Sequence, residues 1–569
     1  MAPFPAGVAK VAGASGIARR RKRAPPAAFA THRKRVLWTP SRGPGGWEDA
    51  IPLTRKHHDY HEMISMSLLG LDIGTSGCKA VAFDLDGRII ALAYEEYDPR
   101  RPQPGWAELD TAEVWGKIRA VLRKVAAAAA DDLVQAISFS SLGEAVVPVS
   151  ADRRILGPSI LCIDARGAEY VEPLAARVPA AQLYRINGNS WGNHYSVTKL
   201  MWMRDNCPEL YRAADKFLLW GSFVPFMLGA EAAVDFSLAN RTLLFDLARR
   251  AWSAELLNNA GLDPEKLPVP VPSGSVIGQL SRAMAAELGL PAGIPLVAGA
   301  HDQCANAVGC GVTDEGRAMY GLGSFICAVP VFRQRVDAKL MLPRGLCTEH
   351  HAVKDRFVSF IYNQGGILLK WCRDTFAAAE CRQARTEGRD VYATLMQELP
   401  PEPGRIMVLP HFTATGPPDF VTRTSGVIAG LHLDSSRGAV IKGVIEGMTY
   451  YLRECLDALP AAGIHIRDFR AVGGGSKSDA WLQLSADIMG RPFVRPKVTE
   501  AGALGAAILA GTGCGVYPSV PEAAARLVVQ DRVFEPNPER HALYSRRFEQ
   551  YRKLFPLLRD YLAELDAAE

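Results

Sequence analysis

The sequence predicts an α/β protein built as two similar lobes around a cleft. Three observations carry this. An apolar strand, a Gly/Thr/Ser turn and a second strand fill residues 68–84. The same theme returns near the midpoint, where Met319 to Val331 reads as strand, Gly-Leu-Gly-Ser turn, strand. Between the two, helical and strand patterns alternate to about residue 300, and helices dominate afterwards. A unit that recurs half a chain later implies a duplicated architecture with a ligand cleft between the copies.

The elements follow in order. Residues 1–62 are rich in Pro, Ala, Gly and Arg, lack an apolar period and read as a disordered basic extension. Three readings of it stay open: a basic tail for nucleic acid or anionic lipid, a targeting leader, or the product of an upstream start codon, with Met63 or Met66 as the natural beginning. Leu85-Asp86-Gly87 turns the first unit into a third strand at 88–93. Asp110 or Thr111 caps a helix that runs to about Ala130. Val134 to Phe139 and Ala145 to Val149 read as strands, and 436–456, 479–489 and 501–510 have helical spacing. Pro401-Glu402-Pro403-Gly404 and Gly416-Pro417-Pro418 mark exposed loops. The expected division is an extension at 1–62, a first lobe at 66–312, a second lobe at 313–520 and a charged helical tail at 521–569.

Composition sets bounds. The chain has 569 residues, 48% of them hydrophobic, with a formal charge of +5. Residues 1–56 hold twelve Lys/Arg against Glu48 and Asp49, which leaves the remainder at −5. The body is mildly acidic and does not call for nucleic acid as a partner. No apolar run is long enough to span a bilayer. The eleven cysteines form no CxxC pair, so a zinc site or disulfide framework is not suggested, and reduced thiols in a cytoplasmic protein are the simplest reading.

Four motifs carry chemistry, each with a plain structural alternative. Asp72 ends the first strand, just before a turn rich in backbone N–H groups and hydroxyls. A carboxylate there can orient Mg²⁺ or its waters while the turn binds phosphate oxygens, or the segment is only a hairpin. The second motif is Val297-Ala298-Gly299-Ala300-His301-Asp302-Gln303. It places an acid at the C-terminal end of a strand, where α/β folds carry catalytic groups, or it is a helix cap. Gly321-Leu322-Gly323-Ser324 is a second phosphate loop or a plain turn. Gly473-Gly474-Gly475 lies between a strand and a helix, where a base or ribose could approach the backbone, or where a flexible joint is needed.

Order and spacing resemble the FGGY carbohydrate kinases, a branch of the actin-like and hexokinase-like ATPases with duplicated ribonuclease-H-like lobes. The resemblance runs from about Leu68 to Tyr551. It rests on DIGTSGCKA at 72–80, PGWAELD at 104–110, LCIDARG at 161–167, GAHDQ at 299–303, GLGS at 321–324, GVIAGL at 426–431 and VGGGSKSDAWLQLSADIMGRP at 472–492. It implies an ATP-dependent phosphotransferase acting on a hydroxyl of a small sugar or polyol, with ATP in the interlobe cleft. Asp72 would meet Mg²⁺, through water. Thr75, Ser76 and Lys79 would line the β/γ-phosphates, and Gly321, Gly323 and Ser324 would close on them from the other lobe. Gly473, Gly474, Gly475 and Ser478 would hold the adenosine. Asp302 would be the catalytic base, with Gln303 beside it on the acceptor side.

Trp106, Asp164 and Arg166 match the family's acceptor-side segments, the first with the alternative of an ordinary core Trp and the last two with that of a structural ion pair. Xylulokinases and FGGY gluconokinases carry His where this chain places Glu144. Glycerol kinases carry Glu there, preceded by Arg, but here the neighbour is Gly143. A glutamate accepts from hydroxyls and repels gluconate. The pattern is closest to the xylulokinase-like branch, with a neutral polyol or ketose as the expected substrate. The alternatives are a kinase of a small dihydroxy carbonyl signal of the autoinducer type, and an actin-like nucleotide-dependent protein without kinase activity. Related enzymes suggest a homo-oligomer by analogy only.

Overall fold

Leu68, Leu69, Leu71 and Ile73 are buried, which suits a strand enclosed on both faces. In the computed structural model, which describes residues 65–418 and 420–567, they lie on the central strand of a six-stranded sheet. The expectation for 1–62 falls outside the described residues. Strands β1 (Ser65–Ile73), β2 (Gly77–Asp84) and β3 (Ile89–Glu96) form an antiparallel meander. Strand β4 (Asp132–Ser141) runs parallel to β1, and β6 (Pro295–His301) runs parallel to β4. An antiparallel edge, β5 (Val276–Gln279), closes the order β5-β6-β4-β1-β2-β3. Helix α1 (Thr111–Ala128) covers β2 and β3, and its cap is Asp110, whose carboxylate accepts from the Glu113 N–H at 3.0 Å.

The second sheet repeats this plan. Strands β7 (Gly316–Leu322) and β8 (Phe325–Phe332) form the second hairpin. The short strands β9 (Glu349–His350), β10 (Phe357–Val358) and β11 (Ile361–Gln364) lie beyond β8. Strand β12 (Ile466–Val472) is parallel to β7, β13 (Phe493–Pro496) is parallel to β12, and β14 (Gln530–Phe534) is an antiparallel edge. Each sheet is therefore an antiparallel hairpin, two added parallel strands and an antiparallel edge. This is the duplicated two-lobe actin-like fold.

Two helices join the halves. Helix α2 (Asp302–Gly309) leaves β6, and α6 (Ala501–Gly513) is buried from Ala501 through Gly511. By sequence order α6 falls in the 313–520 segment, yet it packs on β1, β4 and β6 of the first sheet and against α2. A helix apolar on all sides is a buried one. Its crossing with α2 needs glycine. A Cβ on Gly505 would lie 1.9 Å from the Ala305 carbonyl oxygen, and one on Gly309 would lie 1.9 Å from that of Ala501.

Two expectations need correction. The 521–569 segment is not a helical appendage, because β14 completes the second sheet. The last helix, α7 (Pro538–Ala567), buries Tyr544, Phe548, Tyr551 and Phe555 in the second core. These aromatics recur at helical spacing, a stripe that the surrounding charges obscure. The Gly416 turn is not exposed either. Gly416 and Pro417 are buried, and a Cβ on Gly416 would come within 2.2 Å of the Tyr362 carbonyl oxygen. All eleven cysteines are free, and among the described residues no helix is long and apolar enough to cross a membrane.

Candidate active site

The parallel strands of both sheets end at one region. In the first sheet Asp72 pairs in register with Ser140, and Ser141 with His301. Asp72 ends β1, Glu144 follows β4, and Asp302 follows β6 as the first residue of α2. In the second sheet Gly321 pairs with Val472, so the Gly323-Ser324 turn and the Gly473 loop are neighbours in the same way. A Cβ on Gly473, whose φ is +87°, would sit 2.9 Å from the Leu322 carbonyl oxygen, so only glycine fits where the triple-glycine loop touches the hairpin. A cavity of about 560 Å³ lies between, lined among others by Glu144, Gln303, Gly321, Gly323, Ser324 and Gly473.

Asp302 is the electrostatic focus. Its side chain is 26% exposed, and its Oδ1 lies 3.2 Å from His301 Nε2 and accepts from Gln303 Nε2 at 3.1 Å. Burial first, then the charges of Asp72 and Glu144, push its pKa up to about 7. A carboxylate tuned to this range can take a proton near neutral pH. His301 is held neutral by burial and by the charge of Arg241. Gln303 also accepts from the Cys327 thiol at 3.2 Å, which ties Asp302's neighbour to the second hairpin.

Asp72 is raised above the ordinary carboxylate range by burial and by the charge of Glu500, against the opposing effect of a hydrogen bond from Ser140 and the charge of Lys79. Lys79 forms an ion pair with Glu500, just before α6, and Gly502 brings the start of that helix against the Asp72 carboxylate. Thr75 and Ser76 are exposed at the tip of the first hairpin. In the second hairpin the Gly323 and Ser324 carbonyls accept from the N–H groups of Gly366 and Gly365, at the start of α3 (Gly366–Phe376). Ser478 caps α5 (Asp479–Met489) by accepting from the Trp481 N–H, and Gly474 faces open space.

No cluster of three or more His, Cys, Asp or Glu side chains able to hold a metal ion occurs among the described residues. Asp72, with Asp302 left free to take a proton, is a sparser donor set. It fits Mg²⁺, which is ordinarily held by one or two carboxylates with water and phosphate oxygens completing the shell.

The expected acceptor-side residues separate into two groups. Glu144 and Gln303 line the cavity, whereas Trp106, Asp164 and Arg166 are not among its lining residues. Arg166 binds Asp164 through Nε at 2.9 Å and Nη2 at 2.6 Å, and it reaches Glu108 at 2.8 Å. Its guanidinium lies 3.9 Å from the Trp106 ring centroid. Asp164 also accepts from the Ala107 N–H at 2.6 Å. These three form one braced unit beside the site, the ion-pair alternative for Asp164 and Arg166. Sequence reasoning missed Arg241, Glu349, Glu500 and the Gly365-Gly366 pair. Only Glu500, directly before the small-residue helix, had a local signal.

Comparison with known proteins agrees with this geometry. The N-terminal domain of the FGGY family of carbohydrate kinases matches residues 67–309, and the C-terminal domain matches 349–514. The chain is 28% identical over 497 residues to a xylulose kinase of Escherichia coli K12, covering 87% of this chain and 100% of that protein. It is 30% identical to an autoinducer-2 kinase of Salmonella typhimurium LT2, covering 86% and 94%. It is 31% identical to a glycerol kinase of Methylibium petroleiphilum, covering 84% and 96%. The ligand-bound xylulose kinase of Lactobacillus acidophilus superposes with a TM-score of 0.79 at 23% identity, covering 88% of this chain and 100% of that one. The chain belongs to the FGGY family of carbohydrate kinases, ATP-dependent phosphotransferases with an alcohol group of a small sugar or polyol as acceptor.

Proposed function

We propose that Asp302 is the base that takes the proton of the acceptor hydroxyl, and that the acceptor is a neutral ketose or polyol. The observation that carries this is the position of Asp302: first residue after a parallel strand, between His301 and Gln303, which both line the cavity, and within reach of the Asp72 charge, which with burial pushes its pKa up to about 7. A sugar hydroxyl is a poor nucleophile, and an in-line carboxylate orients it and accepts its proton as the new P–O bond forms. The transition state of phosphoryl transfer is loose, so positioning and charge neutralisation supply most of the acceleration.

Mg²⁺, when bound, neutralises developing charge on the phosphates. Asp72 would hold its shell from the first lobe. Lys79 and the Thr75-Ser76 turn bind the outer phosphates there, while Ser324 supplies its hydroxyl from the second, and Gly321 and Gly323 keep that turn clear of side chains. Gly473, Gly474, Gly475 and Ser478 bed the adenosine. On the acceptor side Gln303 and Glu144 take hydroxyls, and Trp106, packed on Arg166, supports that side from outside the cavity lining. Reduced thiols throughout are in keeping with a cytoplasmic enzyme.

The test is ADP release by the full chain with Mg·ATP across pentuloses, pentitols, tetritols, glycerol, hexuloses, gluconate and a small dihydroxy carbonyl compound, with Asp302→Asn as the blank. Acceptor-stimulated release that the blank lacks is the expected result. Equal release by the blank overturns the role of Asp302, and ATP binding with no stimulating acceptor overturns the acceptor class.

A further inference from the structure

The cavity wall that holds Glu144 contains a charge cluster that no motif marks. Arg241 follows the short helix Phe236–Asn240 and is 9% exposed. It donates its Nε–H, at 2.6 Å, and an Nη2–H to Glu144 Oε1. It donates an Nη1–H to Glu349 Oε1 at 2.7 Å. The rings of Tyr195 and Phe360 lie 5.0 and 5.5 Å from the guanidinium carbon. Glu349 comes from β9 in the second half of the chain, so the cluster joins both family domains.

The backbone is committed to this arrangement. Glu144 has a φ of +59°, in the left-handed region that a non-glycine residue keeps only when its surroundings fix it. Gly143 has little room for a side chain, because a Cβ would lie 3.1 Å from the His301 ring and 3.3 Å from Arg241 Cγ. Two carboxylates share one guanidinium, so the cluster has no spare positive charge, and burial raises the pKa of both carboxyls. The flanking His194 and His301 supply none, since burial and Arg241 keep both neutral. Cys162 and Cys347 remain thiols, and Asp302 adds only negative charge when ionised.

We propose that Arg241 is a positioning residue for the acceptor. It ties down one oxygen of Glu144, leaves Oε2 for two adjacent hydroxyls, and so selects a neutral vicinal diol over an acidic sugar. This rests on the kinase reading above. Three of the five guanidinium N–H groups of Arg241 are already held by carboxylates, so its charge is committed before an aldonate arrives. A carboxylate oxygen has the lone pairs to accept two O–H donors, whereas an anionic acceptor brings its charge to a buried wall whose one guanidinium is already paired.

The experiment uses the full chain with Arg241→Met, Arg241→Lys and Glu144→Gln. It measures KM for the best neutral acceptor, KM for ATP, kcat and turnover of gluconate. Arg241→Met should raise the acceptor KM by about tenfold or more while KM for ATP stays within about twofold. Removing one partner of a buried pair strains the fold. Arg241→Lys therefore serves as the second variant: it keeps the charge but not the fork, and the same split is expected with a smaller amplitude. Glu144→Gln should weaken the neutral acceptor and narrow the preference against gluconate.

An acceptor KM unchanged in both arginine variants overturns the proposal, as does a parallel rise in both KM values. A wild type that favours gluconate overturns this inference and the neutral-acceptor reading, and leaves the role of Asp302 standing. A wild type that binds ATP but phosphorylates nothing removes both.

Discussion

The β1–β2 hairpin and the β7–β8 hairpin hold equivalent places in their sheets, each with a parallel strand beyond its first member. Their chemistry differs. The first carries Asp72 and Lys79 in register with one another and has Glu500 beside it. The second carries Gly321 opposite Cys327, and its turn is Gly323 and Ser324 with carbonyls already bonded to Gly365 and Gly366. Charge sits on one copy, and the other offers backbone and a hydroxyl. The duplicated frame thus separates two demands. A buried ionised group costs stability wherever it is placed, so the turn end of one hairpin bears that cost and the turn of the other stays uncharged.

Variants can break this contrast. The largest effect is expected at Asp302, where Asn should lower kcat by about 10²–10⁴ with little change in ATP affinity, as single-turnover assays and calorimetry would show. Near-normal turnover would place the base elsewhere. In the second sheet Gly473→Ala should strain the left-handed loop by about 1–3 kcal/mol and weaken ATP binding with kcat less affected. Equal losses in both would blur the division. Lys79→Met should raise KM for ATP several-fold yet change thermal stability by less than about 1 kcal/mol, because its partner is a quarter exposed. Ser324→Ala, which removes one hydroxyl from the neutral turn, should cost least, a few-fold in KM for ATP.

The pKa of Asp302 gives a prediction with a definite sign. The group holds its proton to about pH 7 in the fold against 3.8 ordinarily. Below pH 4 the carboxyl is protonated folded or unfolded. Between 4 and 7 the unfolded chain loses the proton that the fold retains, so the contribution of Asp302 to stability falls as pH rises through this window. At pH 8 Asp302→Asn should therefore be more stable than the wild type, on the order of 1 kcal/mol, with the gain gone near pH 3 in urea titrations. Acceptor-dependent kcat/KM should rise with pH up to about 7 and then level.

Much of this was legible before the structure. The strand–turn–strand units have turn residues of limited backbone choice, and the helices from 111, 437 and 479 begin at Asp110, Ser436 and Ser478, whose side chains accept from their first turns. Local chemistry of that kind can be read from local sequence. The Glu144–Arg241–Glu349 cluster could not, because its members are about a hundred residues apart and meet only through tertiary packing. The burial of α7 was missed for a different reason: its aromatic stripe is narrow and lies among Arg, Lys and Glu. Asp164 and Arg166 carry a recognisable motif, yet motif alone could not say that each would be the other's main partner.

The crossing of α2 and α6 has a consequence for how such an enzyme can change. Asp302 opens one helix, and the start of the other abuts Asp72, so a single glycine-knit contact gauges the spacing of the two acids. The proposed acceptor wall joins Glu144 and Arg241 to Glu349 from the second half of the chain, away from that crossing. Edits at Arg241 or Glu349 leave the crossing intact, whereas edits at Glu144 also reach Asp302 through its charge. Tinkering at the crossing, by contrast, would be felt by every substrate alike.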